Sequence, residues 1–317
     1  MINKDYLYEK KYNDINTFKI ETESTYFFYR SNETRSHYIV NNIKNKYINT
    51  KFIELKIIEN EKDIIIDKET NKKYNLRNSN NIFELINNYQ SSTIYIDTTG
   101  MNNRIVASLL NNSFLLSKNR QIEINIVYVE PYIYNTELFK LEGVSNDLSE
   151  KIDGIEPLPG FASIIPYTDE MLFVALLGFE GGRFSYLLEQ IQPQKDNIIP
   201  IVGVPGFRIE YPFITLLGNK MPLDETRAWE RIKYIAANSV VDVYFFLKKL
   251  LLKSPENNRI VLAPIGTKPH AIAAILFAIK NPRQVEIVYD NPKRKINRTD
   301  GEGQIIVCNI SSLLREN

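Results

Sequence analysis

The chain has 317 residues, a formal net charge of +1 and one cysteine, Cys308. That length exceeds what a single core usually serves, so two units of ordinary domain size are expected, and the near-neutral charge gives no global footprint for duplex nucleic acid. One cysteine excludes an intrachain disulfide framework and fits a reducing cytoplasm. No apolar run reaches the about 18 residues of a membrane span, and nothing resembles a signal peptide.

In chain order, Thr25 to Tyr29 is a β-rich run that stops at the polar loop Arg30 to Thr34, and a helix starts near Arg35. Phe52 to Ile58 reads as the next strand and Asn81 to Tyr89 as a short helix. Thr93 to Ile96 is a strand leading into Asp97-Thr98-Thr99-Gly100, followed by a helix from Asn103 to Leu116 and a strand from Ile122 to Val129. Glu142 to Asp169, rich in Pro, Gly and acidic residues, reads as a linker.

The same grammar then returns. Leu172 to Leu177 is continuously apolar, as a strand buried on both faces should be. It ends in Gly178-Phe179-Glu180-Gly181-Gly182, and a helix runs from Arg183 to about Gln192. Ile198 to Val202 is a strand containing Pro200, which has no N–H for a ladder. A helix-rich stretch from Asp224 to Lys253 precedes the strand Ile260 to Ala263. The turn Gly266-Thr267-Lys268-Pro269, a helix to Lys280 and a strand from Val285 to Tyr289 close the unit. Strands alternating with helices imply an α/β fold with mostly parallel sheets.

Three blocks align in the same order between the halves. Arg35 to Ile43 matches Arg183 to Ile191, Thr99 to Ala107 matches Ile265 to Ala273, and Ile126-Val127-Tyr128 matches Ile287-Val288-Tyr289. The offset is 148 residues from Arg35 to Arg183 and 166 from Gly100 to Gly266, so the second half carries about 18 extra residues, assigned to the stretch around 204–238. The expectation is an internal duplication: residues 1–141 as a first unit, 142–169 as a linker and 170–317 as a second unit.

Ligands of open parallel sheets sit beyond the carboxyl ends of the strands, where helix N-termini offer N–H groups to anions. The candidate ligand residues are therefore those of the strand-to-helix turns. They are Arg35; Asp97, Thr98, Thr99, Gly100 and Arg104; Gly178, Phe179, Glu180, Gly181, Gly182 and Arg183; and Gly266, Thr267, Lys268 and His270. Arg208 and Tyr211, following a strand end, can reach across a ligand or form a partner surface. Lys268 is expected as an exposed loop cation that converges with Arg183 and Arg104 in one electropositive cleft. Each motif also has a structural reading: a capped turn at Gly266, an Arg183–Glu180 pair, a turn-forming Asp97. His37 and His270 are the only histidines, and with one cysteine they supply no ordinary structural zinc site. No cofactor is expected.

A strand, a Gly-containing loop and a helix, then a strand ending in Gly266-Thr267-Lys268-Pro269 before a helix of small apolar residues, resembles the CRISPR-associated Rossmann-fold (CARF) sensor domains. Two such units in one chain resemble the SAVED sensors of bacterial antiphage systems. The resemblance implies two tandem Rossmann-like units and binding of a cyclic oligonucleotide second messenger at their junction, with signalling to a protein effector or by self-association. The first half departs from the pattern, with Thr99-Gly100-Met101-Asn102 where Gly-Thr-Lys would stand, which favours an asymmetric ligand or a site dominated by the second half. The alternatives are an enzyme acting on a nucleotide or sugar phosphate through Lys268, His270 and Asp97, including a ring nuclease, or a structural subunit of a defence complex.

Overall fold

The computed structural model describes residues 7–118, 120–135, 148–162, 171–255 and 259–315. The strands are β1 (Tyr8–Tyr12), β2 (Thr25–Tyr29), β3 (Lys51–Ile58), β4 (Glu61–Asp67), β5 (Lys72–Asn75), β6 (Thr93–Asp97), β7 (Glu123–Tyr134), β8 (Ser149–Ile152), β9 (Leu172–Leu176), β10 (Ile198–Gly203), β11 (Lys233–Ile235), β12 (Ile260–Pro264), β13 (Val285–Ile287), β14 (Pro292–Arg294) and β15 (Thr299–Asn309). The α-helices are α1 (Tyr38–Ile43), α2 (Ser79–Asn87), α3 (Asn103–Ser117), α4 (Gly181–Ile191), α5 (Tyr211–Gly218), α6 (Lys220–Thr226), α7 (Val240–Lys253), α8 (Lys268–Lys280) and α9 (Ser311–Arg315).

The chain divides into two compact units, residues 1–134 with 299–317, and residues 135–298. The second unit therefore stops short of the C-terminus. Residues 299–317, read from the sequence as its end, belong to the first unit because β15 pairs antiparallel with both β7 and β1. The described part of the expected linker is also structured: β8 pairs with β14 inside the second unit. The rest of that stretch, 142–147 and 163–169, lies outside the described residues.

The first unit holds an eight-stranded sheet in the order β1-β15-β7-β6-β2-β3-β4-β5. Its centre, β7-β6-β2-β3, is parallel, and both margins are antiparallel. The sheet is mixed rather than mostly parallel because β3, β4 and β5 follow one another through turns too short for a crossover. Asn60 and Asn71, with φ of 68° and 56°, make those turns, a role Asn fills by tolerating the left-handed region. Alternation along the strands sends Tyr26 and Phe28 of β2, Phe52 of β3, Tyr95 of β6 and Val127 and Val129 of β7 to one core, closed by Ile39, Val40 and Ile43 of α1.

The second unit holds a five-stranded, wholly parallel sheet in the order β11-β10-β9-β12-β13. β9 and β12 are central and buried on both faces. Phe173, Ala175 and Leu177 from β9 and its end pack with Val261, Ala263 and Ile265 beneath Phe184 and Leu187 of α4. Pro200 is accommodated because β11 pairs with β10 only from Ile201 onward, leaving one side of the strand without a ladder at that residue. Helix α8 is apolar all round and buried along nearly its whole length, and Ala271, Ala273 and Ala274 let it lie close to its neighbours. No helix among the described residues is long and apolar enough to cross a membrane.

Four neighbouring parallel strands of each sheet, counted in chain order among themselves, stand second, first, third, fourth: β3-β2-β6-β7 and β10-β9-β12-β13; in the second unit the parallel β11, which the chain visits between β10 and β12, extends the sheet beyond β10. The chain leaves the first of these strands to one side and returns on the other. The switch point of each sheet thus lies between β2 and β6, and between β9 and β12.

Candidate functional site

In the second unit, the loops after β9 and β12 flank the switch point and touch. A Cβ on Gly178 would stand 2.8 Å from the Ile265 carbonyl oxygen and 3.1 Å from the Gly266 Cα, and one on Gly266 would run into the Leu177 carbonyl. Glycine is required at both because no side chain fits between these backbones. The Gly178 carbonyl accepts a hydrogen bond from the Asn219 side chain at 2.7 Å, and Gly181 lies against Gly218. Much of the Gly-rich loop thus serves contact with α5 and α6. Gly182, in the first turn of α4, differs: no heavy atom lies within 4 Å of where its Cβ would stand. Phe179 packs edge-on against Tyr211, with ring centroids 5.2 Å apart, and both rings are largely buried.

Arg183 opens α4 but turns inward. Its guanidinium makes a bidentate pair with the fully buried Asp290 at 2.7 and 2.6 Å, donates to the Ile265 carbonyl at 3.0 Å, and reaches Glu180 at 3.4 Å. It lies 5.9 Å from the Tyr289 ring centre. One side chain ties together the chain ends leaving β9, β12 and β13, which a planar five-donor fork is suited to do.

The Gly266 to His270 turn is also built inward. Thr267 caps α8 by accepting from the His270 N–H, and its hydroxyl donates to the Ala237 carbonyl at 2.8 Å. His270 is wholly buried, and its Nε2 donates to the Ala236 carbonyl at 2.9 Å, which fixes the neutral tautomer. Burial drives its pKa down to about 4, with the Ala236 bond opposing. Its Nδ1 has no hydrogen-bond partner. Lys268 is not an exposed loop residue: it is the first residue of α8 and only 8% exposed. Arg208 is part-exposed and paired with Glu210 at 2.8 Å.

The strand-to-helix turns of the first unit are built from other residues. Arg35, on a 3₁₀ turn before α1, is buried, donates to the Val129 carbonyl at 2.7 Å and to Glu33 at 2.7 Å, and lies 5.4 Å from the Tyr128 ring centre. A Cβ on Gly100 would run into the Tyr29 carbonyl. Asp97 is buried and accepts from the Tyr26 hydroxyl at 2.9 Å and the Thr99 N–H at 3.0 Å. Burial pushes its carboxyl up to about 6, while the bonds from Thr99 and Tyr26 and the charge of Arg35 pull the other way. The Thr98 hydroxyl donates to the Val127 carbonyl, and the Thr99 hydroxyl accepts from the Val129 N–H, both at 2.9 Å. Arg104 is buried against Asp63, which also receives Arg77 at 2.6 Å. His37 ends the 3₁₀ turn and contacts the Ser36 hydroxyl.

Three of the arginines expected to face a ligand, Arg35, Arg104 and Arg183, are thus buried among acceptors of their own unit. Sequence reasoning missed their partners, chiefly Asp290, Asp63 and the two tyrosines. The tyrosines had a signal, since Tyr128 and Tyr289 are matched in the third aligned block as Arg35 and Arg183 are in the first. No group of three or more potential metal-ligating residues occurs among the described residues. No family model matches the chain, and neither does any curated protein.

Proposed function

We propose that the two units are copies of one ancestral unit and that the chain is a sensor. In this reading the second unit binds a cyclic oligonucleotide, or a related nucleotide messenger, at the switch point of its parallel sheet. The bound state is then passed to a protein partner in bacterial antiphage defence. The duplication is supported by the shared strand order and by paired details. Each unit stacks an arginine from the first strand-to-helix connection on a tyrosine of the fourth strand or its end, Arg35 on Tyr128 and Arg183 on Tyr289. Each also presses a glycine after the third strand against a carbonyl at the end of the first, Gly100 on Tyr29 and Gly266 on Leu177. Tyr29 and Leu177 stand at the same 148-residue offset as the two arginines.

The observation that carries the site is the meeting of the loops after β9 and β12 at the switch point. Helices α4 and α8 begin there with their N-terminal dipole ends, the open Gly182 and the cation of Lys268. The ligand class itself rests on the resemblance of Gly266-Thr267-Lys268-Pro269 to the sensor family. The metabolic-enzyme reading is weakened, since Asp97 and His270 are 1% and 0% exposed.

Titration calorimetry against cyclic di-, tri- and tetranucleotides tests the proposal. Wild type should bind one of them stoichiometrically. Lys268→Met removes the charge, so affinity should fall roughly ten- to a hundredfold, with circular dichroism showing that the fold persists. Gly182→Leu should block binding while the fold persists. Failure of wild type to bind any of the three, or full affinity in both variants, would reject the site.

A further inference from the structure

One stretch of the second unit departs from the neutral balance of the chain. Val243 to Val285 carries seven cationic residues and one acidic residue, Glu256, in a chain with 39 cations and 38 anions. The fold gathers most of that charge at one edge of the sheet. Helices α7 and α8 pack against each other, with the Tyr244 and Phe277 ring centroids 5.6 Å apart. Each joins two parallel strands, so both run back along the sheet and end where β12 and β13 begin. Lys253 closes α7, Lys280 closes α8, and exposed Arg283 follows in the turn before β13.

Helix α7 divides its work between two faces. Val240, Val243, Tyr244 and Leu247 are buried, while Lys248, Lys249, Leu252 and Lys253 are exposed, Leu252 by 78%. Lys248 and Leu252 are four residues apart, as are Lys249 and Lys253, so the four make one patch. The pull of a helix C-terminus on cations accounts for Lys253 and Lys280, each in a last turn, but not for Lys248 and Lys249 before the last turn or for Arg283 beyond α8. Arg259 is neutralised by Glu286 at 3.0 Å, whereas Lys248, Lys249, Lys253 and Arg283 make no ion pair among the described residues.

Charge and apolarity together identify the occupant. A nucleic acid or an acidic protein would meet the cations but leave Leu252 against polar groups. Three of the four cations are also lysines, point charges without the fork by which arginine reads phosphates and carboxylates. A bilayer containing anionic phospholipid accepts both features, its headgroups meeting the cations and its acyl boundary the leucine. Each cation near such a surface raises partitioning about fivefold, so four supply on the order of 500-fold over neutral lipid.

We infer that the outer face of α7, with the Arg283 turn, is a docking surface for an anionic phospholipid bilayer. The inference goes beyond the ligand reading and stands or falls without it.

Cosedimentation of the full chain with vesicles, without nucleotide, tests it, comparing phosphatidylcholine alone with phosphatidylcholine containing about one-third phosphatidylserine. Wild type should bind the anionic vesicles and not the neutral ones. Salt at about 1 M, which shortens the screening length from about 10 Å at 0.1 M to about 3 Å, should release it. Lys248→Gln, Lys249→Gln and Lys253→Gln combined should lower partitioning about a hundredfold with an unchanged circular dichroism spectrum, because the buried face of α7 is untouched. Leu252→Trp, made with Trp229→Phe so that it is the one tryptophan of the chain, should shift its fluorescence to the blue on anionic vesicles. Absence of binding at roughly 1 mM anionic lipid, well above what a marginal membrane anchor needs, overturns the inference. So does equal binding to neutral vesicles, full affinity in the triple variant, or unshifted fluorescence in the bound chain. Capture of polyglutamate or a single-stranded oligonucleotide without vesicle binding would assign the patch to an acidic protein or a nucleic acid and likewise overturn it.

Discussion

Arg35 and Arg183 each follow the first parallel strand of the sheet in their own unit, β2 and β9, yet they are held by different chemistry. Arg183 forms a bidentate pair with Asp290, whose side chain is 0% exposed, and spans three chain ends. Arg35 leans on one backbone carbonyl and on Glu33, a carboxylate on its own loop that is 12% exposed. An arginine is over-supplied with donors, so the surroundings decide what it joins: in one unit distant loops, in the other mainly its own turn. The second unit therefore has the better braced sheet edge, and it is also the unit that keeps an open first helical turn at Gly182.

The largest expected effect sharpens that contrast. Arg183→Ala leaves the Asp290 carboxylate buried without its partner and should cost about 3–5 kcal/mol in urea unfolding, whereas Arg35→Ala should cost about 2 kcal/mol, because Glu33 can turn to water. Equal losses would mean that the fully buried carboxylate is not what distinguishes the two clusters.

A second contrast is in pH. Asp97 in the first unit has its pKa raised to about 6, so the folded form holds a proton the unfolded chain has released; its contribution is best near pH 4 and falls as pH rises to 6. His270 in the second unit has its pKa lowered to about 4, so the unfolded chain takes the proton first; its contribution is full above about 6.5 and falls as pH drops toward 4. Each shift corresponds to a change on the order of 3 kcal/mol, opposite in sign. Hydrogen exchange resolved by unit at pH 4.5 and 6.5 should show the first unit loosening and the second tightening on going up. Asp97→Asn should flatten the first trend and His270→Gln the second. Parallel trends in both units would contradict the assignment.

The smallest effect concerns Arg104, whose partner Asp63 keeps Arg77 and is 20% exposed. Arg104→Met should destabilise by about 1.5 kcal/mol and leave the proposed nucleotide binding at the second unit untouched. A loss of binding there would restore Arg104 to the site and break the contrast between a closed first unit and an open second one.

How far the sequence reached depends on the range of the interactions involved. The runs at Thr25 to Tyr29 and Leu172 to Leu177, the helix after Gly266 and the caps that start it are short-range features, and they are where the periodicity and the turn residues put them. Glycines 100 and 266 were legible as turn residues between a strand and a helix, but what presses on each, the Tyr29 and Leu177 carbonyls, was not. The β4 and β5 hairpins were not: β5, Lys72-Lys73-Tyr74-Asn75, carries little apolar signal, and the run Ile64-Ile65-Ile66 of β4 does not alternate.

By itself, then, the sequence determined an α/β fold and the run of elements that alternates in it, the strands β2, β3, β6, β7, β9, β10, β12 and β13 with the helices after β6, β9 and β12. The tertiary structure decided which strands pair and what the charged turn residues do. β15 crosses back to β7 and β1, Arg183 finds Asp290 across 107 residues, and Arg35 finds Val129 across 94. Strand pairing and side-chain neutralisation are settled by whichever partner is closest once the core has closed. A list of residues in order does not carry that proximity.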